Sequence, residues 1–217
     1  MKRATDPLQD YKALVRRGYD FCSEKYTAAR SLEPPESLGV LTERLREGAR
    51  VLDLGCGGGV PVAESLSERF EVTGVDFSSE QIRRARESVP TATFHCCDVL
   101  DYIPEHPFDA VTAFYVLFHL PRTDQLELIR RLSMWVKPGG LVLVTITESD
   151  EDPYTEDDFF GATMYWTNFS RSKYEAVFQD AGFRVLSVGA VGHGYWDGER
   201  SEHHPLLLAE RTHRPCR

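Results

Sequence analysis

The sequence predicts an α/β fold, a mostly parallel sheet with helices packed on both faces. Three observations carry this expectation. From Arg50 onward, short apolar runs alternate with helical patterns over brief connections. The runs 51–55, 108–116 and 141–147 are rich in apolar residues, as strands buried on both sides require. A glycine-rich turn closes the first run, and a helical pattern begins directly after it. A chain of 217 residues suits one domain of ordinary size.

The elements follow in order. Asp6 to Arg30 reads as a helix, broken by Pro34-Pro35, and a second helix is expected from Glu36 to Glu47 on the spacing of Leu38, Leu41 and Leu45. VLDLG (51–55) is a strand ending in glycine, Pro61 to Phe70 a helix, and VTGVD (72–76) a second strand. Ser78 and Gln81 form a capping-box pattern, with each side chain expected to satisfy an N–H group at the helix start. Ile82, Ala85 and Val89 continue that helix. Residues 92–99 and 108–116 are strands three and four, Gln125 to Val136 a helix, and 141–147 strand five after the turn Pro138-Gly139-Gly140. Ser170 to Ala181 is a helix closed by Gly182, and 183–191 and 205–210 supply two more strands.

Composition narrows the function. The chain carries 25 Lys and Arg against 34 Asp and Glu, a formal charge of −9. That balance argues against a nucleic-acid-binding surface and against an anionic membrane surface. No run reaches the roughly 18 to 20 apolar residues of a membrane span, and the N-terminal segment lacks the apolar core of a secretory signal. Five cysteines without a C-x-x-C pair fit reduced thiols, so a cytoplasmic location without disulfides is expected. The histidines lack metal-type spacing, and no metal is expected.

The informative constellation is VLDLGCGGG, Val51 to Gly59. In open α/β sheets the ligand crevice lies beyond the carboxyl ends of the strands, where the strand order reverses. Gly55, Gly57 and Gly59 let the backbone turn sharply and allow a ligand close approach, and the following helix offers free N–H groups. A dinucleotide fingerprint would place its third glycine at position 60, which is Val60. Asp76 ends the second strand, 19 residues after Gly57, where a carboxylate can accept hydrogen bonds from ribose hydroxyls. Asp98 ends the third, placed for an exocyclic adenine amine. Together these positions describe a site for an adenosine whose other end carries a carboxylate rather than a pyrophosphate.

On these motifs the sequence resembles the class I S-adenosylmethionine-dependent methyltransferases of small-molecule type. VLDLGCGGG, GVDFS, CDV, FDAVTAFYVLFHL and LSMWVKPGGLVLVT are similar to five ordered family motifs, and the likeness runs from about Tyr19 to Glu210. The resemblance implies a Rossmann-like, doubly wound, seven-stranded sheet with an antiparallel last strand. It implies one domain over 1–217, with residues 1–48 as a helical cap and 148–169 as a substrate lid. It also implies S-adenosyl-L-methionine as cofactor. Gly55, Cys56 and Gly57 would then lie along its methionine portion, Asp53 near the amine, Asp76 at the ribose, and Phe77, Asp98, Val99 and Phe114 about the adenine. YDFCSEKY is similar to an N-terminal element whose tyrosines close over the cofactor, making Tyr19 and Tyr26 candidates. Gln81 stands where many relatives carry Met.

The resemblance implies methyl transfer to N or O of a small metabolite, in a monomer or homodimer. The alternative is a protein that binds the same cofactor for a cyclisation or a regulatory role. His119 is either a general base or substrate ligand, or a histidine that shapes the strand–helix turn. His193, His203 and His204 flank the last strand pair and could reach the crevice. Residues 148–169 hold seven acidic residues and no Lys or Arg, followed by Met164, Tyr165, Trp166 and Phe169. This composition suits a lid over a flat or cationic acceptor, with Tyr165, Trp166, His119 and His193 as substrate contacts; a solvated acidic loop has the same composition.

Overall fold

The computed structural model describes residues 2–4, 10–29, 36–190 and 204–213. In chain order they form β1 (Lys2–Ala4), α1 (Tyr11–Ala29), α2 (Gly39–Thr42), β2 (Arg50–Leu54), α3 (Val62–Ser67), β3 (Glu71–Asp76), α4 (Ser79–Ser88), β4 (Thr93–Cys96) and β5 (Phe108–Ala113). There follow α5 (Arg122–Trp135), β6 (Val136–Thr145), β7 (Glu151–Phe159), β8 (Ala162–Asn168), α6 (Arg171–Asp180), β9 (Phe183–Ala190) and β10 (Pro205–Arg211).

Seven strands make the main sheet in the order β4-β3-β2-β5-β6-β10-β9. Strands β2 to β6 run parallel to one another, and β10 is antiparallel to both β6 and β9. The predicted sheet, with its reversed final strand, is the observed one. Side-chain alternation divides the core. Val51, Ala110, Leu141 and Leu143 face a cluster with Ala63, Leu66, Ile82 and Ala85 of α3 and α4. Leu52, Leu54, Val111, Val142 and Val144 face Leu128, Ile129, Tyr174 and Phe178 of α5 and α6. Because β3 lies on one side of β2 and β5 on the other, the strand order reverses at β2. A crevice therefore opens at the carboxyl ends of β2 and β5.

Three local expectations change. The helix expected over 36–47 is a turn of 3-10 helix (Glu36–Leu38) and the four-residue α2, since Gly39 is a poor helix former and Gly48, at φ +68°, turns the chain back toward β2. Strand β6 begins at Val136, and Pro138-Gly139-Gly140 is an excursion within it: pairing passes from Phe108↔Val136 to Ala110↔Leu141. Residues 148–169 are mainly the antiparallel hairpin β7–β8, which joins β1 in a second, three-stranded sheet.

Strand β7 carries five carboxylates, a composition that disfavours strands. Its partner supplies the reason it forms. Met164, Tyr165 and Trp166 of β8 are buried, and the hairpin docks on α1 where Gly18 admits the Met164 side chain; a methyl group at Gly18 would lie 2.7 Å from the Met164 Sδ.

Candidate active site

The crevice is lined by the loop 55–62, the ends of β2, β3 and β5, residues 98–99, and one face of α1. That face carries Lys12, Val15, Tyr19 and Tyr26, whose spacings of three, four and seven stack them along one side of the helix. The loop depends on its glycines at a specific point. Gly55 has φ +62°, and a methyl group there would lie 2.4 Å from the Val116 Cγ2. The same turn lets Cys56 N–H reach the Val75 carbonyl at 3.1 Å.

Two carboxylates sit at the crevice floor. Asp76 accepts from Gly57 N–H at 3.0 Å through one oxygen and from Ser78 N–H at 2.9 Å through the other. Burial lifts its pKa to about 6 against these two N–H groups, with Asp20 adding to the rise. Asp53 accepts from the Thr112 hydroxyl at 2.7 Å. Burial lifts it to about 7, the neighbouring Asp76 pushes the same way, and Thr112 opposes the rise. Asp98 accepts from Leu100 N–H at 2.8 Å and pairs with Lys12 at 3.1 Å, while Lys12 also reaches Asp124 at 2.7 Å.

Polar ties fasten α1 across this crevice. Besides Lys12, Asp20 accepts from the Ser78 hydroxyl at 2.6 Å, and that same oxygen caps α4 by accepting Gln81 N–H at 3.1 Å. The Tyr19 hydroxyl lies 2.8 Å from Nε2 of His119, whose Nδ1 lies 3.0 Å from the Tyr165 carbonyl. A carbonyl only accepts, so in the neutral imidazole Nδ1–H donates to it and Nε2 accepts a hydrogen bond from the Tyr19 hydroxyl. Trp166 packs on this ring at a centroid distance of 4.3 Å. Phe159 brings the hairpin against Tyr19 and Tyr26 at 6.2 and 5.9 Å.

The structure brings Tyr19, Tyr26, Asp53, Gly55, Cys56, Gly57, Asp76, Phe77, Asp98, Val99, Phe114 and His119 to one crevice. Tyr165 and Trp166 stand elsewhere. Their side chains are buried behind the wall, Tyr165 stacked on Tyr11 at 4.2 Å and Trp166 against His119, because β8 faces them into the α1 interface. His193 and His203 lie outside the described residues. His204 approaches Phe118 and Tyr115 at 5.3 and 5.9 Å. Sequence reasoning missed Lys12, Asp20, Thr112 and Tyr115. Tyr115, at φ +60° beside Phe114, holds an unusual backbone at the end of β5 that no residue type announces. Lys12 does leave a signal, as a charge on the crevice face of α1.

Fold and crevice define the class: a Rossmann-like α/β protein with a crevice where its strand order reverses. Residues 26–188 match the methyltransferase-domain family, and the chain belongs to it. A ubiquinone biosynthesis O-methyltransferase from Chromobacterium violaceum is 38% identical over 114 residues, 49% of this chain and 48% of the relative. A trans-aconitate 2-methyltransferase from Azoarcus is 32% identical over 136 residues, 61% of this chain and 50% of the relative. The chain thus spans about half the length of these curated relatives. Among solved structures, Burkholderia thailandensis 1,6-didemethyltoxoflavin-N1-methyltransferase, with bound 1,6-didemethyltoxoflavin and S-adenosylhomocysteine, is similar at TM-score 0.72 and 21% identity, covering 96% of this chain and 93% of that one. The [4+2]-cyclase SpnF is similar at TM-score 0.69 and 18% identity, covering 97% and 99%. At these identities the likeness is one of fold.

Proposed function

We propose that this chain binds S-adenosyl-L-methionine and transfers its methyl group to an N or O atom of a small metabolite. The observation that carries the reading is Asp76, buried at the end of β3 with its two oxygens oriented by Gly57 and Ser78 N–H groups. A carboxylate so held keeps lone pairs for a sugar's hydroxyls. The glycine loop beside it has no room for a side chain at Gly55, as a site shaped for close backbone approach requires. These residues fit the group.

Asp76 would hold the ribose, Asp98 and Val99 the adenine edge with Phe77 and Phe114 beside it, and Gly55 to Gly57 with Asp53 the amino-acid end. When bound, the sulfonium supplies a methyl group already activated for displacement. The chain's own contribution is orientation and exclusion of water, both served by α1 across the crevice. His119 is the group suited to take a proton from an acceptor N–H or O–H, through Nε2 or through the Tyr19 hydroxyl bonded to it. The hairpin β7–β8 backs the α1 side of the crevice, with Phe159 against Tyr19 and Tyr26, and the carboxylates of β7 would favour a neutral or cationic acceptor.

Titration calorimetry of ligand-free protein with S-adenosylhomocysteine, followed by mass spectrometry of reactions with S-adenosylmethionine and a panel of small amines, phenols and carboxylic acids, tests this. Binding and a methylated product are expected. No heat with S-adenosylhomocysteine overturns the reading. Binding without a product from any acceptor favours a cofactor-bound protein of another activity.

A further inference from the structure

The capping-box pattern at Ser78 and Gln81 is only half realised. The Ser78 hydroxyl accepts Gln81 N–H, as expected. The reciprocal bond, from the Gln81 side chain to Ser78 N–H, is absent, because Asp76 Oδ1 takes that N–H at 2.9 Å. Gln81 is 2% exposed, and among the described residues its buried Oε1 has no hydrogen-bond partner. An orphaned buried carbonyl costs about 1–3 kcal/mol, so it points to a donor that arrives later.

The position of that oxygen narrows the donor. Gln81 lines the crevice. Methyl groups added at Gly58 and Gly57 would lie 3.4 and 4.0 Å from its Oε1. Gly57 is also the residue whose N–H orients Asp76. The free carboxamide oxygen and the Asp76 carboxylate therefore flank one glycine at one end of the crevice. Both are acceptors, so a ligand segment between them must present hydrogen-bond donors close together, as the vicinal hydroxyls of a ribose do.

Resting on the cofactor reading above, we infer that Gln81 is a second sugar-reading residue, its carboxamide oxygen accepting one ribose hydroxyl while Asp76 accepts the other. Displacement of Gln81 from the helix cap by Asp76 is what leaves it available. A purely structural Gln81, or one that only packs against the base, would not distinguish ribose from deoxyribose.

The test is calorimetry of wild type, Gln81→Met and Gln81→Glu with S-adenosylhomocysteine, adenosine, 2′-deoxyadenosine and 3′-deoxyadenosine. Gln81→Met keeps length and apolar volume and removes the acceptor; Gln81→Glu keeps an acceptor. Gln81→Met is expected to bind S-adenosylhomocysteine about five- to tenfold more weakly, the scale of one hydrogen bond. It should also lose the wild-type preference for adenosine over one of the two deoxynucleosides, which Gln81→Glu should retain. Thermal unfolding of ligand-free Gln81→Met should show no loss of stability. Wild-type binding with unchanged affinity and unchanged deoxynucleoside discrimination in Gln81→Met overturns the inference and leaves the cofactor reading standing. Failure of wild type to bind any of the four ligands overturns both.

Discussion

The Tyr19 hydroxyl and His119 Nε2, 100 residues apart in sequence, meet at 2.8 Å and join the N-terminal helix to the end of β5. The bond fixes the Tyr19 ring on the crevice wall and sets the direction in which His119 accepts a proton. It also makes the helix over the crevice and the candidate base one unit.

Groups that act as a unit respond non-additively to replacement. Tyr19→Phe and His119→Ala are each expected to lower unfolding stability, and the double variant to fall short of their sum by about 1 kcal/mol. Urea unfolding of the four proteins measures this. Strict additivity would mean that the bond is not made in solution. On whichever acceptor yields product, His119→Ala should lower turnover about a hundredfold, the scale of a lost general base. Unchanged turnover across pH would leave His119 a shaping residue only.

The glycine turn gives a second prediction. Gly55→Ala places a β-carbon at φ +62° and 2.4 Å from the Val116 Cγ2, a backbone cost of about 1–2 kcal/mol plus a steric one of similar size. For a chain of this length each kcal/mol lowers the melting temperature by about 2–4 °C. A drop of roughly 4–16 °C is therefore expected. Val116→Ala in the same chain should restore the steric part and leave the backbone part. Equal melting temperatures for wild type and Gly55→Ala would contradict the geometry.

The third prediction concerns pH. Asp53 titrates near 7 in the folded protein, pushed up chiefly by burial and also by Asp76, against an ordinary value of about 3.9 when unfolded. Between those values the folded state binds more protons, so this group's contribution to stability falls as pH rises from about 4 to about 7. Asp53→Asn removes that penalty and keeps an acceptor for Thr112. The stability of the ligand-free variant relative to wild type should therefore grow through this range, by up to about 1.4 kcal/mol per pH unit. Denaturant unfolding at several pH values measures it, and parallel profiles would show that Asp53 titrates normally.

Much of the site was legible because strand ends are local features. Asp53, Asp76 and the glycine loop each sit at or beside the end of an apolar run, and a parallel sheet brings such ends to one edge. The burial of Tyr165 and Trp166 away from the crevice is not legible in the sequence, for the converse reason. Aromatic residues after an acidic segment read equally as a ligand surface or as packing, and only the docking of β8 on α1 decides between them.

By itself the sequence determined the α/β order of elements, the reversed last strand through its family resemblance, and many residues that line the crevice, because periodicity and turn chemistry act over a few residues. Only the tertiary structure decided what those residues touch. Lys12 spans Asp98 and Asp124, Tyr19 meets His119, and Asp76 takes the N–H that Gln81 was expected to satisfy. The first two pairings join elements far apart in the chain, and the third turns on a competition between two side chains for one donor. Neither spacing nor composition records distances set by how α1, α4 and the hairpin pack around the sheet.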